Sequence, residues 1–292
     1  MWQLIAVLVG LNFFSSMIIT NDVSLITFVP FAIMMLKQCG RQELMIPVVV
    51  LQTIAANLGS MLTPIGNPQN LYLYGLAGKG IGEFIMWLLP YTIVSALLLV
   101  ISILLIKNKN EIICIEDTDS EAAHNTSVPR VMAYSVLFIL ALLVVARVLT
   151  WYILVAAVLI TVLLLEKNVL AKLLTFIGFF IFTGNMGRVE PVAHFLAGIV
   201  NSRELEAGII TSQCISNVPA ALLLSGFTDN IKNLSIGVNI GGLGTLIASM
   251  ASLISYKLYA NEVPEKKGKY FAVFTVYNII FLVVLYVFTK LI

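Results

Sequence analysis

Polar side chains set inside long apolar stretches are where this sequence can do chemistry. Two short polar turns stand out, Ile19-Thr20-Asn21-Asp22-Val23 and Ile215-Ser216-Asn217-Val218-Pro219. Each is followed by a break rich in glycine and asparagine: ANLGSMLTPIGNPQNLYLYG at 56–75 and VNIGGLGTLIAS at 238–249. The second break lies on residues 56–67 without a gap, so Asn57 meets Asn239, Gly59 meets Gly241, Thr63 meets Thr245 and Ile65 meets Ile247. Paired interrupted segments, one per half of a chain, point to the binding site of a transporter built from repeats. The carboxamides of Asn21 and Asn217 offer a donor and an acceptor each, and Thr63 and Thr245 add hydroxyls. Broken helices offer positive N-terminal ends to anions and carbonyl-rich C-terminal ends to sodium or protons. That mixture suits a small anion moving with a cation. Asp22 is the one acid placed near the expected midplane, where a carboxylate costs roughly 2.5–3.5 kcal/mol. A cation or a proton is its expected partner; the alternative reading is a helix N-cap in a wet turn.

Helices must hold these groups, and a helix can break at membrane depth only where the freed backbone faces protein or a watery cavity. Pro64 and Pro68 lack an N–H, and Gly59 and Gly66, like Gly242 and Gly244 in the second copy, permit backbone geometry that other residues resist. Asn67-Pro68 reads as an N-cap followed by proline at the first helical position, restarting a helix. The chain therefore divides into a first repeat at 1–106, a polar cytoplasmic linker at 107–130 and a second repeat at 131–292. The first repeat holds a re-entrant hairpin at 2–36 with its tip at Thr20-Asn21-Asp22, a helix from 44 that breaks at Asn57 and resumes to 75, and a span at 84–106. The second holds spans at 131–147, 149–165 and 169–185, a hairpin at 205–227, a broken helix at 231–258 and a span at 270–289. Arg147 and Thr150-Trp151-Tyr152 mark the interfacial turn between the first two of these spans. Such alternation puts Lys37, Arg41, Lys107, Lys109, Arg130, Lys167, Lys172, Lys257, Lys266, Lys267 and Lys269 on the cytoplasmic side, with Lys79, Arg188, Arg203, Lys232 and Lys290 opposite. That bias follows the positive-inside rule. On this path the two broken helices run in opposite directions, as an inverted repeat requires. Asn21 is preceded by 20 residues and Asn217 by about 87 counted from Arg130, so the first repeat is expected to be N-terminally shortened by roughly 67 residues of scaffold.

Composition agrees with an all-α integral membrane protein: of 292 residues 60% are hydrophobic and 11% charged, and the mean hydropathy is +1.00. No basic cluster large enough for nucleic acid is present. Three cysteines without CxxC pairing imply no disulfide or zinc framework, and His124 and His194 lack partners for a metal site. No HExxH or GxSxG occurs, and GLAGKG and GGLG lack the context of a phosphate or dinucleotide loop. An enzyme is not expected, and neither is a cofactor beyond a coupling sodium ion or proton.

SSMIITNDVSLITFVP, MLTPIGNPQN, SQCISNVPAALLLSG and GVNIGGLGTLIAS together resemble the citrate-transporter-like permeases of the ion transporter superfamily. That group includes sodium-coupled di- and tricarboxylate symporters, arsenite permeases and a class of sodium/proton antiporters. The resemblance covers nearly the whole chain. It implies two inverted repeats, each with a re-entrant hairpin and a broken helix, in a homodimer of the cell membrane that works by an elevator motion. Substrate contacts are then expected from Thr20, Asn21, Asn67, Ser216, Asn217 and Thr245, and coupling-ion contacts from Asp22, Asn57, Thr63, Asn239 and Gly241. In the carboxylate symporters the tips read Ser-Asn-Thr. Thr20-Asn21-Asp22 and Ser216-Asn217-Val218 keep the asparagine and lose the final threonine, and an acid beside the substrate would repel a carboxylate unless neutralised. The expected function is cation-coupled transport of a small anion, a carboxylate before an oxyanion; the alternatives are a sodium/proton antiporter or an arsenite-type efflux permease, and, from another class, a membrane enzyme or non-transporting component.

Overall fold

A computed structural model describes residues 1–106, 128–145, 148–165, 177, 178, 181, 182, 185 and 188–292. These residues form helices and turns, with no strand among them. Two compact units result, one built from 1–117 and 189–292, the other from 118–188.

In the first unit, α1 (Trp2–Ile19) and α2 (Asn21–Gln38) form a hairpin joined by Thr20 alone. A short 3-10 turn leads into α3 (Met45–Ser60), which is buried along almost its whole length. The chain then runs without helix through 61–67 and restarts as α4 (Pro68–Ala77). Gly78 closes α4 in the left-handed conformation that glycine adopts at a helix C-terminus without steric cost. α5 (Ile81–Leu105) follows, and its exposed Ile93, Leu97, Val100, Ile101 and Leu104 make the apolar face a lipid-contacting helix needs. The smaller unit contains α6 (Val128–Val145) and α7 (Trp151–Leu165), both strongly apolar.

The first unit resumes with α8 (Glu190–Val200), then a second hairpin, α9 (Glu204–Ile215) and α10 (Asn217–Leu224), joined by Ser216 alone. α11 (Ile231–Ile240) ends in a second interruption that contains one 3-10 turn, Leu246–Ala248. α12 (Met250–Glu262) restarts the helix, and α13 (Lys267–Thr289) ends the chain with a largely exposed apolar surface. Among the described residues four stretches, Trp2–Ile19, Gln42–Ser60, Ile81–Leu105 and Pro264–Thr289, are long and apolar enough to cross a membrane. The arrangement is that of an integral membrane protein.

Packing crosses the two halves of this unit. α3 lies against the first hairpin, and α11 against the second. The restart helices swap: α4 packs on α10 and α11, while α12 packs on α2 and α3. Leu73 of α4 thus joins Ala220, Ala221, Leu224, Leu234 and Val238 in one apolar cluster. Every restart is fixed by the hairpin it does not follow.

Several sequence-based boundaries move. Both polar turns shrink to one residue, because Asn21, Asp22, Asn217 and Val218 already lie in the first turn of the following helix. The first break starts at Met61 and not at Asn57, and α4 continues past Gly75. Gly59, expected to break the helix, is helical; a Cβ there would sit 2.1 Å from the Phe13 carbonyl oxygen and 2.6 Å from Ser16 Oγ, so it is glycine to let α1 approach α3. The linker through residue 127, Arg147 and most of the expected 169–185 span lie outside the described residues.

Candidate functional site

Thr20 and Ser216, the two hairpin tips, have the same unusual backbone: φ 74°, ψ 152° and φ 75°, ψ 154°. This region is almost confined to glycine, and holding another residue there costs on the order of 1–3 kcal/mol. Contacts from the break facing each tip hold it. The Asn21 backbone N–H donates to the Gly66 carbonyl at 3.0 Å, and Ser216 Oγ donates to the Ala248 carbonyl at 3.4 Å. Thr63 Oγ1 donates to the Met17 carbonyl, and Thr245 Oγ1 to the Gln213 carbonyl at 3.2 Å. Met17 and Gln213 each lie three residues before a tip, and Gly66 and Ala248 correspond in the aligned breaks. Thus Thr63 and Thr245, expected to bind ion and substrate, direct their hydroxyl protons at the protein backbone.

Between tips and breaks lies a buried carboxamide network. Asn57 Oδ1 accepts from Asn21 Nδ2 at 3.3 Å and from Ser249 Oγ at 2.9 Å, and Asn57 Nδ2 donates to Ser252 Oγ at 3.4 Å. On the other side Asn239 Oδ1 accepts from Asn67 Nδ2 at 3.0 Å, and Asn239 Nδ2 donates to Asn70 Oδ1 at 2.6 Å. Each asparagine before a break therefore bonds to the first and fourth residues of the other half's restart segment, Ser249 and Ser252 or Asn67 and Asn70. All of these side chains are at most 5% exposed. Buried amides are so expensive to leave unpaired, about 1–3 kcal/mol each, that this crossed pairing locks the two breaks into one unit.

The restart at Asn67 has the geometry its sequence suggests. Its Oδ1 accepts from the Asn70 N–H at 2.9 Å, and Pro68 takes the first helical position, where no N–H is needed. Pro64 and Gly66 lie within the non-helical stretch, as do Gly242 and Gly244; Gly244 has φ 102°, which only glycine adopts freely. Gly241, by contrast, closes α11 and packs within 2.9 Å, measured from a Cβ position, of Ile209 Cα.

Among the described residues, polar groups at both tips keep atoms without a protein partner. Asp22 Oδ1 is buried without a hydrogen bond. Asn217 is 4% exposed; its Oδ1 accepts from Ser216 Oγ at 3.5 Å, while its Nδ2 donates to no group among the described residues and faces Gly242. Two functional residues escape sequence reasoning. Asn70 Nδ2 caps the carbonyls of Met61 and Thr63 in the first break, at 2.8 and 3.2 Å. Gln213 Nε2 caps those of Gly241 and Leu243 in the second, at 2.8 and 2.9 Å, while its Oε1 accepts from the Thr245 N–H at 2.9 Å. The visible signals were a second asparagine three residues after a capping one, and a lone glutamine three residues before a tip.

Comparison with known proteins points the same way. Residues 1–233 match the citrate transporter family. An uncharacterized transporter of Methanocaldococcus jannaschii is 34% identical over 289 residues, covering 97% of this chain and 78% of that protein. The inner membrane protein YbiR of Escherichia coli is 30% identical over 264 residues, 85% of this chain and 67% of that protein.

Proposed function

Because this chain belongs to the citrate transporter family, and so is a transporter and not an enzyme, we propose that it moves a small anion across the cell membrane by coupling it to a cation. The anion is a carboxylate such as citrate or a dicarboxylate, and the cation is sodium or a proton. The observation that carries this reading is at the first tip, where Asp22 Oδ1, an acceptor suited to a cation, is buried with no hydrogen-bond partner among the described residues; at the second tip Asn217 Nδ2, which faces Gly242, is a donor suited to an anion. Thr20, Asn21, Ser216 and Asn67 complete the proposed substrate surroundings; of these, Asn21 Oδ1 accepts from the Asp22 N–H at 2.9 Å and Ser216 Oγ donates to Asn217 Oδ1 at 3.5 Å. The carboxylate of Asp22 must be neutralised before an anion approaches, and that requirement is what ties the two fluxes together.

The test is purified protein in liposomes. Labelled citrate or succinate should accumulate when an inward sodium or proton gradient is imposed, and stop when it is collapsed. A second reading is favoured by Asp22 itself, since an acid at the tip suits cation exchange: sodium/proton antiport, or efflux of an arsenite-type oxyanion. Exchange of cations with no organic anion present would select the antiporter, and sodium- or proton-linked arsenite flux the efflux permease. Absence of any gradient-driven flux would contradict both.

A further inference from the structure

The carbonyls freed at a broken helix carry the negative end of its dipole and are the groups from which a coupling cation is ordinarily held. In each break a side-chain carboxamide nitrogen sits among them. Asn70 Nδ2 lies 2.8 Å from the Met61 oxygen and 3.2 Å from that of Thr63. Gln213 Nε2 lies 2.8 and 2.9 Å from the oxygens of Gly241 and Leu243 in the second break, and 3.3 Å from that of Ile209 in its own helix α9. Met61 and Leu243 correspond in the aligned breaks, so one and the same carbonyl is capped twice. The donors do not correspond. Asn70 comes from the restart helix of its own break; its counterpart in the second half is Ser252, which instead accepts from Asn57. Gln213 comes from the facing hairpin, and its counterpart in the first hairpin is Met17. A carboxamide is present at both breaks although different elements supply it.

Asn70 Nδ2 spends its two hydrogens on two break carbonyls, and Gln213 Nε2 shares its two between two break carbonyls and the Ile209 carbonyl one turn earlier in α9. A monovalent cation would neutralise the same set of dipoles. We infer that Asn70 and Gln213 act as tethered substitutes for bound cations: each occupies a carbonyl cage that would otherwise take a monovalent cation such as sodium, and thereby excludes sodium from the breaks. The coupling residues expected at the breaks, Asn57, Thr63, Asn239 and Gly241, are then structural, and the cation of the proposed transport acts at Asp22. The occupancy of the cages does not depend on the identity of the anion, and its test needs no transport.

Thermal unfolding of the purified chain in detergent is compared in sodium chloride and in choline chloride at equal ionic strength. Gln213→Met keeps the bulk and installs the residue found at the matching position of the first hairpin. Its midpoint in choline should fall below that of the unaltered protein, and sodium should restore it saturably by several degrees at about 100 times the dissociation constant. The sodium-specific gain is predicted to be larger in Gln213→Met than in the unaltered chain. An equal or smaller gain overturns the inference, because the carbonyls would then either already hold sodium or not be a cation cage. Should Gln213→Met not fold, Asn70→Ser, which installs the residue of the second half, carries the same two outcomes at the first break.

Discussion

The two hairpins of the larger unit answer to the same tip geometry with different interiors. α1 and α2 have 18 residues each, about 27 Å at 1.5 Å per residue. α9 and α10 have 12 and 8, too few to cross about 30 Å of hydrocarbon. Inside the first hairpin Ser24 Oγ donates to Asn12 Oδ1 at 2.9 Å and meets Ser15 Oγ at 2.9 Å. At the matching positions the second has Gly208, Ala220 and Thr211, and Gly208 lies against Gly237 so closely that a Cβ would come within 3.0 Å of its carbonyl carbon. Asp22 faces Val218 in the same comparison. What both halves keep is therefore what the framework needs: the strained tip, the threonine tie, the asparagine before the break and a carboxamide on its carbonyls. What only one half has, above all Asp22, is where the two can serve different ligands.

The sharpest way to break this comparison is at the glycines that let hairpin and broken helix touch. Gly59→Ala drives a methyl into the Phe13 backbone, whereas at Gly241 the nearest foreign atom is 2.9 Å away. Gly59→Ala should reach the upper end of the about 1–3 kcal/mol that overpacking costs and lower the yield of folded protein, and Gly241→Ala should cost visibly less. Thermal unfolding in detergent orders the two; the reverse order would mean the first hairpin is the more loosely held.

Next in size come the crossed asparagines. Asn57→Ala removes the acceptor for Asn21 and Ser249 and the donor to Ser252, and should cost about 1–3 kcal/mol. Asn239→Ala should cost a similar amount, since it frees Asn67 and Asn70. A difference of more than about 1.4 kcal/mol, tenfold in an equilibrium constant, would show that one side of the network carries the pairing. Asn217→Ala removes no donated hydrogen bond, so its stability should barely change while the concentration of anion needed for half-maximal uptake rises.

The smallest effect is at the tips. Thr20→Gly and Ser216→Gly relieve the positive φ, about 1–3 kcal/mol, but free the unfolded chain, about 0.5–1 kcal/mol. Ser216→Gly also deletes the donor to Ala248, while the Asn21 N–H bond to Gly66 survives Thr20→Gly, so a small net stabilisation should be larger in Thr20→Gly. Equal shifts in unfolding midpoint would show that the Ser216–Ala248 bond contributes nothing measurable to holding the second tip.

Much of this framework was legible in the residues because it depends on punctuation: Asn67-Pro68 specifies its restart, and the gapless match of 56–67 with 238–249 locates both breaks. The exact start of the first break was not legible, since Gly59 is read as conformational freedom until the α1 backbone is seen against it. Nor were Asn70 and Gln213. The aligned repeats pair them with Ser252 and Met17, so a comparison that seeks matching residues hides a function supplied from non-matching places. Asn57 and Asn239 were identified as a pair, but their crossing to the opposite restart depends on the swap of α4 and α12, which only packing reveals.

The claim on which the functional account rests is that the unpaired carboxylate at the first tip couples cation and anion movement. Thr20, not Asp22, is the N-cap of α2, and Asp22 Oδ1 makes no hydrogen bond among the described residues. Asp22→Asn therefore removes only the favourable placement of a negative charge in the first helical turn, about 0.3–1 kcal/mol, and should leave folding and membrane insertion nearly intact. Gradient-driven anion uptake into liposomes by Asp22→Asn is the direct measurement: the account predicts that accumulation is abolished or becomes independent of the imposed sodium or proton gradient, and normal accumulation with unchanged dependence on both sodium and pH would contradict it.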